Sequence, residues 1–81
     1  MILVRGTNFM ANRPFDMLND ALGKEVLIVL KGNTLVRGTL KAFDVHLNLV
    51  LDNAEQLENG ETKTKYGKLM VRGDSVVLIS A

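Results

Sequence analysis

The sequence predicts a mostly β fold, in which a short N-terminal helix precedes five short, strongly bent antiparallel strands forming a small open barrel. Three observations carry this. Apolar spacing is helical over residues 14–22 and switches after Gly23 to runs rich in β-branched residues. Polar turn signals separate those runs at Lys31–Thr34 and at Glu58–Glu61. Gly38 stands inside one of them, where glycine marks sharp bending or close backbone approach.

Eighty-one residues make one small domain, with a thin stability margin unless something is added. With no cysteine and one histidine, disulfides and a self-contained zinc site are excluded, and oligomerisation remains. Ten basic and nine acidic residues give a net charge of +1, so any nucleic-acid argument must rest on local placement. An apolar fraction of 47% argues for a folded chain. No run has the length of a membrane-spanning helix, and the apolar Met1–Val4 is broken at once by Arg5, Gly6, Thr7 and Asn8. The expected location is the cytoplasm, with no membrane partner, no cofactor and no metal.

Residues 1–12 show no clear period and read as a tail before a single domain over 13–81. Pro14 suits the first helical position and Asp16 the positive end of the helix dipole. Phe15, Leu18 and Leu22 form one apolar stripe, and Gly23 can end the helix in the left-handed conformation. Val26–Leu30 is the first strand, and Lys31-Gly32-Asn33-Thr34 the turn after it. In Leu35–Ala42 the residues Val36, Leu40 and Ala42 share a face with Gly38, while Arg37, Thr39 and Lys41 face away. The third strand starts at Leu49–Leu51 and runs towards Leu57. Lys65–Val71 is the fourth and Ser75–Ser80 the fifth. An open barrel keeps two edges, and the expected ones, residues 65–71 and 75–80, are apolar and lack proline. Pairing one copy's fourth strand with the next copy's fifth is a head-to-tail contact, which closes into a ring.

Two polar clusters interrupt the apolar pattern. In extended chain Asp44, His46 and Asn48 would share one side, with Val45, Leu47 and Leu49 turned to the core. Arg72-Gly73-Asp74 breaks the C-terminal region in the same way. A lone histidine beside apolar residues is either structural or a stacking platform; a metal site would lack most of its ligands. Asn48 offers one acceptor and two donors, which match uracil, or cytosine if the amide is reversed. Asp44, accepting only, can hold one amide hydrogen and fix the orientation that suits uracil; alternatively Asp44 and Asn48 merely satisfy a turn. Arg72 is either a solvated charge or the cover of a base stacked on His46. Gly73 permits a turn close to the base, and Asp74 can accept a hydrogen bond that fixes Arg72 or that turn. Arg37, Lys41, Lys63, Lys65 and Lys68 read as solvated faces with diffuse attraction for phosphate. No nucleophile set or phosphate-cradling glycine loop points to catalysis.

Two motifs resemble the Sm-like (LSm) family. The first runs from Val26 to Glu55 through Leu30-Lys31-Gly32, Arg37-Gly38-Thr39-Leu40, Phe43–Leu51 and Ala54-Glu55. The second is Leu69–Val77, containing Arg72-Gly73-Asp74. Together they cover about residues 13–80. The Arg72-Gly73 pair is similar to the archaeal and eukaryotic branch, where bacterial Hfq has a Lys-His pair. The resemblance implies the Sm fold, an SH3-like barrel joined into a ring through strands four and five. It implies a homoheptamer first and a hexamer second, with uridine-rich single-stranded RNA bound at the inner rim of the pore. His46 and Arg72 would then sandwich the base, Asn48 would read it, Asp44 would support Asn48, and Gly73 and Asp74 would shape the pocket wall. Two positions depart from the family. Ala42 stands where glycine is frequent. Phe43 replaces a common tyrosine, so a helix-face RNA contact that some relatives make through it loses its hydroxyl here. An RNA chaperone or scaffold in RNA processing or decay is the expected function. The alternative is a protein-interaction module whose polar patch completes the subunit contact, with no RNA selectivity.

Overall fold

In the computed structural model, residues 14–81 are described, and the tail expected over residues 1–12 lies outside them. Helix α1 spans Pro14–Ala21. Five strands follow: β1 Glu25–Leu30, β2 Thr34–Phe43, β3 Leu49–Glu58, β4 Glu61–Val71 and β5 Val76–Ser80. All pairings are antiparallel, in the order β4-β3-β2-β1-β5. β4 and β5 are therefore the edges, as the sequence predicts. Among the described residues no helix is long and apolar enough to cross a membrane.

The helix ends where glycine allows it. Gly23 has φ 82°, its N–H donates to the Leu40 carbonyl at 2.8 Å, and Leu40 N–H donates back to Lys24 O at 3.0 Å. These bonds fasten the helix end to β2. The buried helix stripe is Leu18 and Ala21 rather than the expected Phe15, Leu18 and Leu22; Phe15 and Leu22 are substantially exposed. Phe15 instead stacks on Phe43, with ring centroids 6.1 Å apart.

The sheet is bent along one transverse line. Ala54 of β3 pairs with Gly67 of β4, and the register shifts on both sides of Ala54. Asn53 and Gly67 both adopt positive φ there, 51° and 73°, as at β-bulges, which bend the strand and add twist. On the neighbouring strand the register also shifts beside Gly38. A Cβ on Gly38 would lie 3.1 Å from Asp52 O and 3.2 Å from Ala54 Cα. The backbones touch there, as the glycine in that run suggests. A second shift, between Leu40 and Ala42, reverses the phase of β2. Ala42 is therefore exposed, contrary to the alternation expected from sequence, and Phe43 packs against the core.

The core is Leu18, Ala21, Val26, Ile28, Val36, Leu40, Leu49, Leu51, Ala54 and Val71. The β3–β4 connection is a two-residue Asn59-Gly60 turn with φ of 54° and 81°, the pattern whose twist suits a hairpin. Arg37 is not the solvated cation expected from sequence. Its Nη2 lies 3.2 Å from Glu55 Oε1, and its Nε sits 3.5 Å from Glu25 Oε2, an ion-pair contact without hydrogen-bond geometry. Lys63 lies 3.5 Å from Glu58. The edges remain apolar: Tyr66 and Met70 on β4, Val77 and Leu78 on β5, are all exposed.

Gly38→Val forces side-chain atoms into a backbone contact that cannot recede, and is expected to cost about 1–3 kcal/mol of stability. Urea unfolding of the variant and parent chains measures it; an unchanged midpoint contradicts the close approach.

Candidate functional site

The register of β3 and β4 brings the two polar clusters together. Leu49 pairs with Val71, so Asn48 and Arg72 flank the same rung and leave the sheet side by side. Beyond that rung each chain makes a tight turn. Leu47 N–H donates to Asp44 O at 3.0 Å, and Ser75 N–H to Arg72 O at 3.0 Å. Lys31 N–H donates to Ser75 O at 2.9 Å, tying the second turn to the β1–β2 connection.

Asp44–Asn48 is thus a turn, not the extended segment expected from alternation. Leu47 sits at φ 62°, a left-handed backbone that leucine adopts at a cost. Asp44 over-determines it. Its Oδ1 accepts from His46 N–H at 2.9 Å and from Asn48 N–H at 3.0 Å, and its Oδ2 accepts from Asn48 Nδ2 at 3.0 Å. The turn also sends Val45 outward instead of to the core: it is 72% exposed. Val45 and Leu47 line an apolar cleft with Pro14, Phe15 and Asp16. The alternation pattern gave no hint of that cleft, because leucine carries no signal for a left-handed backbone.

The Asn48 amide is held at both ends. Gly73 N–H donates to Asn48 Oδ1 at 2.8 Å while Nδ2 donates to the carboxylate. A carboxylate accepts only and a backbone N–H donates only, so one amide orientation satisfies both. One N–H and one lone pair of Asn48 remain for a ligand. The glycine is required by the contact between the turns: a Cβ at Gly73 would sit 1.8 Å from His46 O. Position 73 thus needs the close approach of backbone to backbone.

His46, Asn48, Arg72, Gly73 and Asp74 line one open cleft of about 470 Å³. Five of the six residues singled out from sequence meet there, and Asp44 stands behind Asn48. Arg72 Nη2 lies 3.1 Å from Asp74 Oδ2. The Asn48 side-chain hydrogen bond, followed by its backbone bond, holds the Asp44 carboxyl below its ordinary value of 3.8. Elsewhere the Thr62 hydroxyl, which donates to Glu55, and then Arg37 lower the Glu55 carboxyl.

A planar ring, a guanidinium and an amide with one donor and one acceptor free thus line one cleft where two turns leave a bent five-stranded sheet. The family model for the LSM domain matches residues 16–81, and the chain belongs to that family, the Sm-like proteins. A protein of Methanosarcina barkeri described as snRNP Sm-like is 55% identical over 71 residues, covering 88% of this chain and 99% of its own. The Pyrococcus abyssi Sm protein, solved in complex with a uridine heptamer, is 45% identical with a TM-score of 0.82, covering 85% of this chain and 97% of that one. A heptameric archaeal Sm protein is 42% identical with a TM-score of 0.75, covering 79% and 93%.

Two outcomes follow from this geometry. Gly73→Ala pushes the turns apart, and the Gly73–Asn48 bond with them; amide exchange at position 73 is expected to lose its protection. The second concerns Asp44. Its folded pKa is depressed, so its stabilisation is complete above 3.8 and is lost as pH falls through the folded value. Asn48→Ala is expected to move the Asp44 titration, followed by carboxyl NMR, back up towards 3.8.

Proposed function

We propose that this protein is a non-catalytic RNA-binding ring that takes uridine-rich single-stranded RNA in the cleft between the 44–48 and 72–75 turns. The observation that carries the reading is the doubly tethered Asn48 amide. Its free N–H can donate to a uracil carbonyl while its free lone pair accepts from N3–H. Cytosine presents an acceptor at that nitrogen and needs the amide reversed, which Asp44 and Gly73 oppose. In this reading His46 and Arg72 stack on the two faces of the base, each such contact being worth about 1–3 kcal/mol. Gly73 and Asp74 form the wall, and Asp44 acts behind Asn48.

The unpaired apolar edges support head-to-tail pairing of β4 with β5 of the next copy. The heptameric relative supports seven copies, with six as the runner-up. A ring repeats one modest site around a pore, so a uridine tract gains from effective concentration. The domain over 13–81 works as one unit in the cytoplasm, as a chaperone or scaffold in RNA processing or decay.

Anisotropy titrations of fluorescent oligo-U, oligo-C and oligo-A, with particle mass from light scattering, test this. Selective oligo-U binding by a ring-sized particle is expected. His46→Ala, Asn48→Ala and Arg72→Ala each weaken it, the stacking positions by at least about fivefold, with the ring intact. Asp44→Asn narrows the preference for oligo-U over oligo-C. A ring that ignores all three RNAs favours a protein-interaction module, and a monomer removes the edge-pairing argument.

A further inference from the structure

We infer that Phe9 and Met10, in the segment before helix α1, fold back into the apolar cleft between the helix start and the 44–48 turn and brace that turn. The cleft has a volume of about 500 Å³ and is lined by Pro14, Phe15, Asp16, Val45 and Leu47. Phe15 and Val45 are both exposed, and grouped apolar side chains on a surface mark a contact site. The walls are set before anything binds. Phe15 stacks on Phe43, and Phe43 and Leu47 pack against the core. The left-handed Leu47 is held by its N–H bond to Asp44 O and by the bonds that Asp44 Oδ1 accepts from His46 N–H and Asn48 N–H. A preformed cleft loses little freedom when it is filled.

Three observations select the occupant. The described residues begin at Pro14, itself part of the lining, so the preceding segment enters at the rim of the cleft. Phe9 stands five residues before Pro14, a stretch that spans up to about 17 Å, and the tether keeps the segment at high effective concentration. Second, Phe9-Met10-Ala11 is an apolar run, and methionine adapts to irregular apolar gaps. Third, the lining holds one acidic side chain, Asp16, and no basic one, while residues 1–12 carry Arg5 and no acid. A nucleic-acid strand would bring phosphate to that carboxylate with no cation in the lining to offset it. The 44–48 turn supplies Val45 and Leu47 to this cleft and His46 to the other. Filling the first restrains the turn that presents His46. Phe9 and Met10 are thus positioning residues for the RNA-binding reading above, on which this last step rests.

The chain has no cysteine, so paired cysteines in the full chain report the contact directly. Met10→Cys with Val45→Cys is treated with oxidised glutathione beside a control, Met10→Cys with Lys63→Cys, whose second position lies near the far tip of the β3–β4 hairpin. A disulfide needs Cα atoms within about 7 Å. The first pair is expected to close within single chains at least about tenfold faster than the control. Phe9→Ala is expected to speed exchange of the Leu47 amide and to weaken oligo-U binding severalfold, at unchanged particle mass. Equal closure rates, or bonds that join different copies, overturn the inference: the cleft then takes another occupant or a second copy's segment. Fast closure with an unchanged Leu47 amide and unchanged oligo-U affinity overturns the bracing role. A wild-type ring with no preference for oligo-U overturns the RNA-binding reading, while the cross-link and the Leu47 exchange still decide the docking.

Discussion

Gly73 N–H reaches Asn48 Oδ1 at 2.8 Å because position 73 carries no side chain to hold the His46 carbonyl away. That one bond joins turns 25 residues apart in sequence. The geometry on either side depends on it. On one side it fixes the orientation of the Asn48 amide, with its oxygen towards Gly73 and its nitrogen towards Asp44. On the other it anchors the first residue of the 3-10 turn, which Ser75 N–H and Lys31 N–H also hold, beside Arg72 and Asp74 in the cleft lining. The sheet prepares the meeting by pairing Leu49 with Val71, so the two segments emerge from one rung.

The barrel that carries this rung is made by bending, and the bend has a simple cause. Gly38, Asn53 and Gly67 lie on neighbouring strands, two with left-handed backbones and one with little room for a Cβ against the next strand. Register shifts in the β2–β3 and β3–β4 pairings at this level convert a flat ladder into a curved one. The apolar faces of β1 to β3 then enclose Ile28, Leu40, Leu49 and Leu51, all essentially inaccessible to solvent. Helix α1 adds Leu18 and Ala21 to that core and is fastened through Gly23 and Leu40.

Much of this was legible in the chain itself, for identifiable reasons. Helix, strand order, turns and edges are written in apolar period and in glycine and asparagine placement, which are local properties. The meeting of the two polar clusters was legible because polar side chains in an apolar stretch need a reason to be there. Two of the failures arise where the period breaks. Ala42 and Phe43 exchange faces at a bulge that no single residue announces, and Val45 turns outward because Leu47 takes a backbone that leucine rarely adopts. The Phe15–Val45 cleft follows from those two events, so neither its existence nor its lining could be read from spacing. Arg37 was mistaken for a solvated cation because its partners, Glu25 and Glu55, become neighbours only through strand pairing.

The exposed edges, with Tyr66 and Met70 on one and Val77 and Leu78 on the other, have a thermodynamic consequence. Where such edges are satisfied between copies, folding and assembly become a single equilibrium, and stability is no longer a property of one chain. Dilution then acts as a denaturant. A lone copy exposes both an open ladder and the apolar side chains that would have covered it, so newly made chains are safest when their partners are synthesised nearby and at once.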